Sequence, residues 1–134
     1  MRSAQVHALC PMMQFSVSPW RVLNKEHQQV IRDAVATRQK FADRFVEIAR
    51  ASGHTGEPML RNLEYNYSGL GYATIRDQFM MGTDLLVAPV VKKGHAEREV
   101  VIPPGIWVAD NGEVVVEPKK IMVRCHFRVF RILH

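Results

Sequence analysis

Cysteine and histidine are the side chains that most readily ligate metals, and neither type is spaced here for that work. Cys10 and Cys125 lie 115 positions apart, with no Cys-x-x-Cys pair. The six histidines, His7, His27, His54, His95, His126 and His134, are scattered, with no HExxH or His-x-His pattern. A zinc site draws its ligands from clusters at such spacings, so no metal is implied. A single bridge between the cysteines is possible on arithmetic, and two buried free thiols are the simpler reading.

Cations are the second group that could do chemistry. The formal net charge is +5. Over residues 1–118, Lys and Arg balance Asp and Glu at 13 against 13, so the excess sits in the last sixteen residues: Lys119, Lys120, Arg124, Arg128 and Arg131. With Phe127 and Phe130 between them, these cations could contact phosphates. The plainer reading is a final strand whose outward residues are basic. No nucleic-acid motif accompanies the charge, and no nucleic-acid partner is expected.

The 134 residues are 47% hydrophobic and 23% charged, which are ordinary globular proportions. They exclude disorder, collagen-like repeats and a membrane-spanning bundle. The longest apolar run, Leu85 to Val91, is seven residues with a proline inside it, against about 20 for a spanning helix. Residues 1–5 hold one cation and no apolar block of signal-peptide length follows. No membrane partner is expected, and the compartment is not indicated.

The elements that would position any site follow from periodicity. Val6 to Met13 is apolar and reads as a strand ending near Pro11, since proline is poorly tolerated in a central strand. A loop then carries Gln14 to Trp20, with Pro19-Trp20 a rigid turn and Trp20 a core candidate. Asn24 is a helix N-cap. Ile31, Ala34, Val35, Phe41, Ala42, Phe45, Ile48 and Ala49 recur at helical spacing. Gly53 is the expected stop. The result is one helix of about 28 residues, roughly 42 Å long at ~1.5 Å per residue. Pro58 to Tyr67 alternates as a second strand, completing a βαβ unit with parallel strands.

From Leu85 onward the chain changes to short β runs: Leu85–Val91, Glu99–Ile102, Ile106–Ala109, Val114–Val116 and Ile121–Phe130. Asn111-Gly112 predicts a type I′ hairpin, and Pro103-Pro104-Gly105 forces a corner. The expected organisation is α/β over 1–83 and antiparallel β over 84–134. Two parallel strands with one crossover cannot cover both faces of a sheet, so the chain reads as a fragment.

Residues 77–90 (Asp77-Gln78-Phe79-Met80-Met81-Gly82-Thr83-Asp84-Leu85-Leu86-Val87-Ala88-Pro89-Val90) resemble the stretch that closes the catalytic barrel in glycoside hydrolase family 31. That family holds α-glucosidases, α-xylosidases and α-galactosidases. The continuation is similar too, through Lys92-Lys93-Gly94, Arg98-Glu99-Val100 and Ile102-Pro103-Pro104-Gly105-Ile106-Trp107. Gly56 to Arg61 resembles the opening of the eighth barrel strand, and Ala8 to Phe15 the end of the seventh. The likeness is collinear over about residues 2–118. It implies the last βαβ unit of a (β/α)8 barrel over 1–83, followed by an incomplete proximal β-sandwich over 84–134.

The resemblance also implies function: hydrolysis of O-glycosyl bonds in α-linked sugars by a retaining mechanism, with an α-linked oligosaccharide as partner and no cofactor. Such chemistry uses two carboxylates about 5–5.5 Å apart, and in the family both lie on earlier barrel strands. Asp77 and Asp84 belong to the structural stretch at the barrel floor. Glu64 falls near the end of the presumed eighth strand, where an active-site group can sit; a solvated or salt-bridged Glu64 is the plainer reading. Gln14 and Ser16 stand where glucosidase-type members carry an arginine and a histidine that touch the sugar. Similar Gln-Phe-Ser loops occur in the branch containing the α-galactosidases. Gln14 and Ser16 are therefore the expected substrate-binding residues, with Arg21 and Trp20 near the same mouth, while Gln14 could equally tie down its own loop. The alternative function is a non-catalytic carbohydrate-binding or interaction module built from the same piece.

Overall fold

The computed structural model describes residues 2–92, 94–116, 118–124 and 127–133. The chain divides into two compact units, Met1–Glu57 and Pro58–His134. The expectations for Cys125, His126 and His134 lie outside the described residues.

The first unit is helical: α1 (Arg2–His7), α2 (Pro19–Val22), α3 (Lys25–Lys40) and α4 (Ala42–Thr55). The Asn24 side chain accepts from the His27 N–H at 2.9 Å and starts α3. The apolar stripe buries Ile31 and Ala34 from α3, and Phe45 and Ile48 from α4. The single long helix expected here is two helices. Phe41, at φ −105° and ψ 6°, leaves helical geometry between them. Nothing in Arg38-Gln39-Lys40-Phe41-Ala42 is a helix breaker, so the break is not a matter of propensity.

The helix also ends three residues later than expected. Gly53 stays inside α4, and Gly56 takes the left-handed φ of 76°, its N–H bonding to Ser52 O at 2.8 Å. Polar neighbours select the second glycine. The Ser52 hydroxyl donates to Glu57 O at 2.6 Å, and the Glu57 N–H bonds to the Thr55 hydroxyl at 3.2 Å.

The strand expected over residues 6–11 is instead the end of α1 followed by a turn. Its backbone groups are satisfied locally, with Ala8 N–H to Ala4 O at 2.9 Å and Cys10 N–H to His7 O at 3.2 Å. A short apolar run suits helix or strand equally; pairing decides.

The second unit contains β1 (Leu60–Arg61), α5 (Leu63–Asn66), β2 (Phe79–Met81), β3 (Leu85–Pro89), β4 (Glu97–Ile102), β5 (Ile106–Ala109), β6 (Val114–Val115), β7 (Lys119–Arg124) and β8 (Phe127–Leu133). A six-stranded sheet runs β1-β2-β3-β8-β5-β6, and β4 pairs with β7 in a second sheet. Every pair is antiparallel. The expected parallel βαβ pairing therefore does not occur among the described residues. β1 pairs with β2, Leu60 opposite Met81. The run from Pro58 to Tyr67 is strand for only two residues, because the Asn62 side chain accepts from Tyr65 N–H at 2.8 Å and starts α5.

Residues of both sheets share one core. Met80, Leu86, Ala88, Trp107, Ala109, Val115 and Phe130 come from the large sheet, and Val100, Ile102 and Val123 from the small one. That arrangement is sandwich-like. All five residues of β3 are buried, as its unbroken apolar run implies. The Trp107 indole N–H donates to Pro103 O at 2.9 Å, giving the corner at Pro103-Pro104-Gly105 a buried anchor.

The hairpin at Asn111-Gly112 forms, with Trp107 opposite Val115 and Val108 opposite Val114. Its turn is not type I′. That turn needs positive φ at both central residues, and only Gly112, at φ 85°, has it. Ala109 exchanges bonds with Gly112 N–H and Glu113 O at 2.9 and 2.8 Å, so the loop is the three-residue kind closed by a left-handed glycine.

Candidate substrate-binding loop

Gln14 and Ser16 lie between α1 and α2, on a segment without regular structure, and both are exposed. Among the described residues neither side chain makes a hydrogen bond. The reading of Gln14 as a tie for its own loop thus has no bond behind it. Both side chains remain free to donate and accept.

The base of this loop is held from α3. Arg38 Nη1 donates to Cys10 O at 2.6 Å, Ala8 O at 3.3 Å and His7 O at 3.4 Å, while Nη2 donates to Pro11 O at 2.9 Å. The guanidinium carbon lies over the Phe45 ring, 4.7 Å from its centroid. Arg38 therefore reaches the carbonyls that close α1 and, across the break at Phe41, an aromatic ring on α4. Cys10, half-buried here, has its thiol pushed up by burial and pulled down less by the Arg38 charge.

The far end of the loop is held as well. Pro19 is buried at the start of α2, and Gln28 Nε2 donates to Leu23 O at 2.8 Å and Trp20 O at 3.4 Å. The Trp20 side chain is not in the core. It is 71% exposed, with Arg21, Met12, Phe15 and Val17 exposed around it in the sequence. Pro19 occupies the buried position and the next side chain along the turn points outward. Sequence reasoning missed Arg38. An arginine in a helix carries no spacing signal, and only the return of the chain gives it four carbonyls.

The candidate carboxylates of the second unit, Glu64, Asp77 and Asp84, are engaged. Glu64 Oε1 accepts from Gly69 N–H and Oε2 from Tyr72 N–H, both at 2.9 Å. The carboxylate clasps the loop after α5, where Tyr67 and Tyr72 meet edge to face at 6.4 Å and pack on the core. Asp77 pairs with Arg98 at 2.8 Å, and Arg98, whose side chain is 10% exposed, also donates to Pro89 O, Glu99 O and Asp77 O. Gln78 is buried and exchanges two bonds with the Val101 backbone, at 2.6 and 3.0 Å. Asp84 is buried beside them in sequence. Asp77, Gln78 and Arg98 join β4 to the segment before β2. They are architecture.

The basic tail divides in the same way. Arg124 pairs with Glu97 and Lys120 with Glu99, each at 2.9 Å, across the β4–β7 ladder. Phe130 is buried in the core, so it cannot stack on a base; the side chains of Phe127 and Arg128 lie outside the described residues. Among the described residues no three His, Cys, Asp or Glu gather as a metal cage, and no helix is long and apolar enough to cross a membrane.

Residues 56–131 match the model of the glycosyl hydrolase family 31 C-terminal domain. The chain is 36% identical over 122 residues to the mouse (Mus musculus) myogenesis-regulating glycosidase, covering 84% of this chain and 16% of that protein. It is 31% identical over 91 residues to an α-glucosidase of Saccharolobus solfataricus, covering 66% of this chain and 13% of the relative. A Flavobacterium johnsoniae dextranase solved with isomaltotriose superposes with a TM-score of 0.86 at 26% identity, over 98% of this chain and 18% of its own. The chain thus spans about one sixth of the mouse relative's length.

Proposed function

Because this chain belongs to glycosyl hydrolase family 31, we propose that it is part of a retaining α-glycosidase, for which it supplies scaffold and pocket wall but not the catalytic carboxylates. The observation that carries the reading is the family match over residues 56–131. Relatives named as glycosidases, and a dextranase bound to an α-linked trisaccharide, support the same substrate class: α-linked oligosaccharides or glycosides.

On this reading residues 1–83 are the closing piece of a (β/α)8 barrel and 84–134 its proximal β-sandwich. Helices α3 and α4 are then the outer helix of the last barrel unit, and β1 belongs to a strand whose parallel neighbours come from the rest of the full-length protein. The nucleophile and the acid/base, ~5–5.5 Å apart across the anomeric carbon, come from that part as well. No cofactor enters, since carboxylates and water suffice. Gln14 and Ser16 contribute hydrogen bonds to sugar hydroxyls from an exposed loop.

The test is direct. The full-length protein turns over a nitrophenyl α-glycoside, and the 134-residue chain, rigorously purified, does not. Turnover by the chain alone would overturn the assignment of the carboxylates. One observation favours a second reading, a non-catalytic carbohydrate-binding module: both oxygens of Glu64 are engaged, while among the described residues Gln14 and Ser16 make no side-chain hydrogen bond. Glycan binding in calorimetry without cleavage by the full-length protein would select it.

A further inference from the structure

We infer that Arg38 is the positioning residue of the substrate loop, a role that rests on the reading of Gln14 and Ser16 as sugar contacts. Those two side chains have no bonds of their own to fix them among the described residues. Their placement therefore depends on where the loop is anchored. At its start the anchor is one guanidinium, bonded to the carbonyls of His7, Ala8, Cys10 and Pro11 and stacked on Phe45.

The chemistry of the anchor needs arginine. At the helix end the His7 carbonyl keeps only the Cys10 N–H, at 3.2 Å, and the Ala8 carbonyl has no backbone partner among the described residues, while the Cys10 and Pro11 carbonyls belong to the turn that follows. A planar fork with five donors can serve all of them while its face rests on a ring; an ammonium, a compact point charge, cannot do both. Among the described residues no carboxylate pairs with Arg38, so the charge is spent on carbonyl oxygens. Pro11 is three residues before Gln14. A shift at Pro11 thus passes along a short stretch with no hydrogen-bonded structure to absorb it. The break at Phe41 belongs to the same device, because Arg38 in the last turn of α3 reaches Phe45 in the first turn of α4.

Two measurements test this. In the 134-residue chain, Arg38→Lys and Arg38→Met should speed amide exchange at Ala8, Leu9 and Cys10 by about tenfold or more, with α4 amides within about twofold of the parent. Unchanged exchange at residues 8–10 overturns the proposal. If Arg38→Met unfolds the helical unit, Arg38→Lys carries the test, since it keeps the charge and the stem. In the full-length protein, Gln14→Ala and Arg38→Lys should each raise KM about tenfold with kcat within about twofold, and the double variant should be no worse than about tenfold. Effects that multiply to about a hundredfold, a fall in kcat at unchanged KM, or an unmoved KM in Arg38→Lys while Gln14→Ala raises it, each overturn the proposal. Should Gln14→Ala leave KM unmoved, the sugar-contact reading fails by itself, and the exchange result decides whether Arg38 holds the loop.

Discussion

The segment between α1 and α2 and the segment between α5 and β2 are held by the same device, a long charged side chain that gathers backbone groups. Arg38 gathers four carbonyls; Glu64 gathers two N–H groups and Arg98 three carbonyls. The held segments differ in what they leave over. Between α5 and β2, Asp77 and Gln78 are themselves bonded, to Arg98 and to the Val101 backbone. Between α1 and α2, Gln14 and Ser16 are exposed and make no side-chain hydrogen bond among the described residues, with Trp20 exposed beyond them. A polar group engaged inside the fold contributes to stability, and one held in place but unengaged is available to a ligand. Residue type alone would rank Asp77 and Glu64 above Gln14 as chemical candidates. Bonding reverses the ranking.

The largest expected effect sharpens the architectural side. Arg98→Met should destabilise the β-rich unit by about 2 kcal/mol, because it leaves the part-buried Pro89 carbonyl without its donor and removes the bonds to Asp77. Thermal or denaturant unfolding of that unit reads it, and a loss below about 0.5 kcal/mol would mean the cluster is surface decoration. Next comes the loop. In the full-length protein Gln14→Ala should lower kcat/KM by roughly 1–3 kcal/mol through lost hydrogen bonds, while the melting temperature hardly moves. The opposite split, stability lost and kinetics kept, would make Gln14 a structural residue and erase the contrast.

Glu64→Gln should cost about 1 kcal/mol of stability and leave turnover by the full-length protein within about twofold. The amide keeps one acceptor oxygen and loses the other. Turnover falling by orders of magnitude would move Glu64 across to the chemical side. The smallest effect concerns Cys10. Burial raises its thiol and the Arg38 charge offsets only part of that, so less thiolate is present at pH 8 than on an unperturbed cysteine. Alkylation there should run several-fold slower than in a model peptide and recover as pH rises. Equal rates would show the turn at residues 8–11 to be open.

Local features were legible from residue types. Asn24 caps α3 because a short side-chain oxygen before a periodic apolar run has one good use. β3 is fully buried because its run is apolar without alternation. The hairpin at Asn111-Gly112 forms where expected, although its turn is one residue longer than type I′, a choice made by the pairing of Ala109 with Glu113. Of the candidate site, the positions Gln14 and Ser16 rest on the resemblance, and the core reading of Trp20 fails at 71% exposure, because the average burial of aromatic residues says nothing of a single turn.

The amino-acid sequence by itself determined the family and the short β runs from Leu85 onward, since both rest on residue order and local periodicity; that the part before Pro58 is helical rather than α/β came from the tertiary structure. Tertiary structure alone decided four further things: that residues 6–11 turn rather than extend, that the long helix breaks at Phe41, that Gly56 and not Gly53 ends α4, and that Glu64 clasps a loop. Each depends on which backbone groups find partners. A short apolar run, a helical arginine and a carboxylate after a strand each have several satisfactory bonding arrangements. The arrangement adopted is the one in which segments distant in sequence complete it, as α3 does by returning Arg38 to the carbonyls of His7 to Pro11.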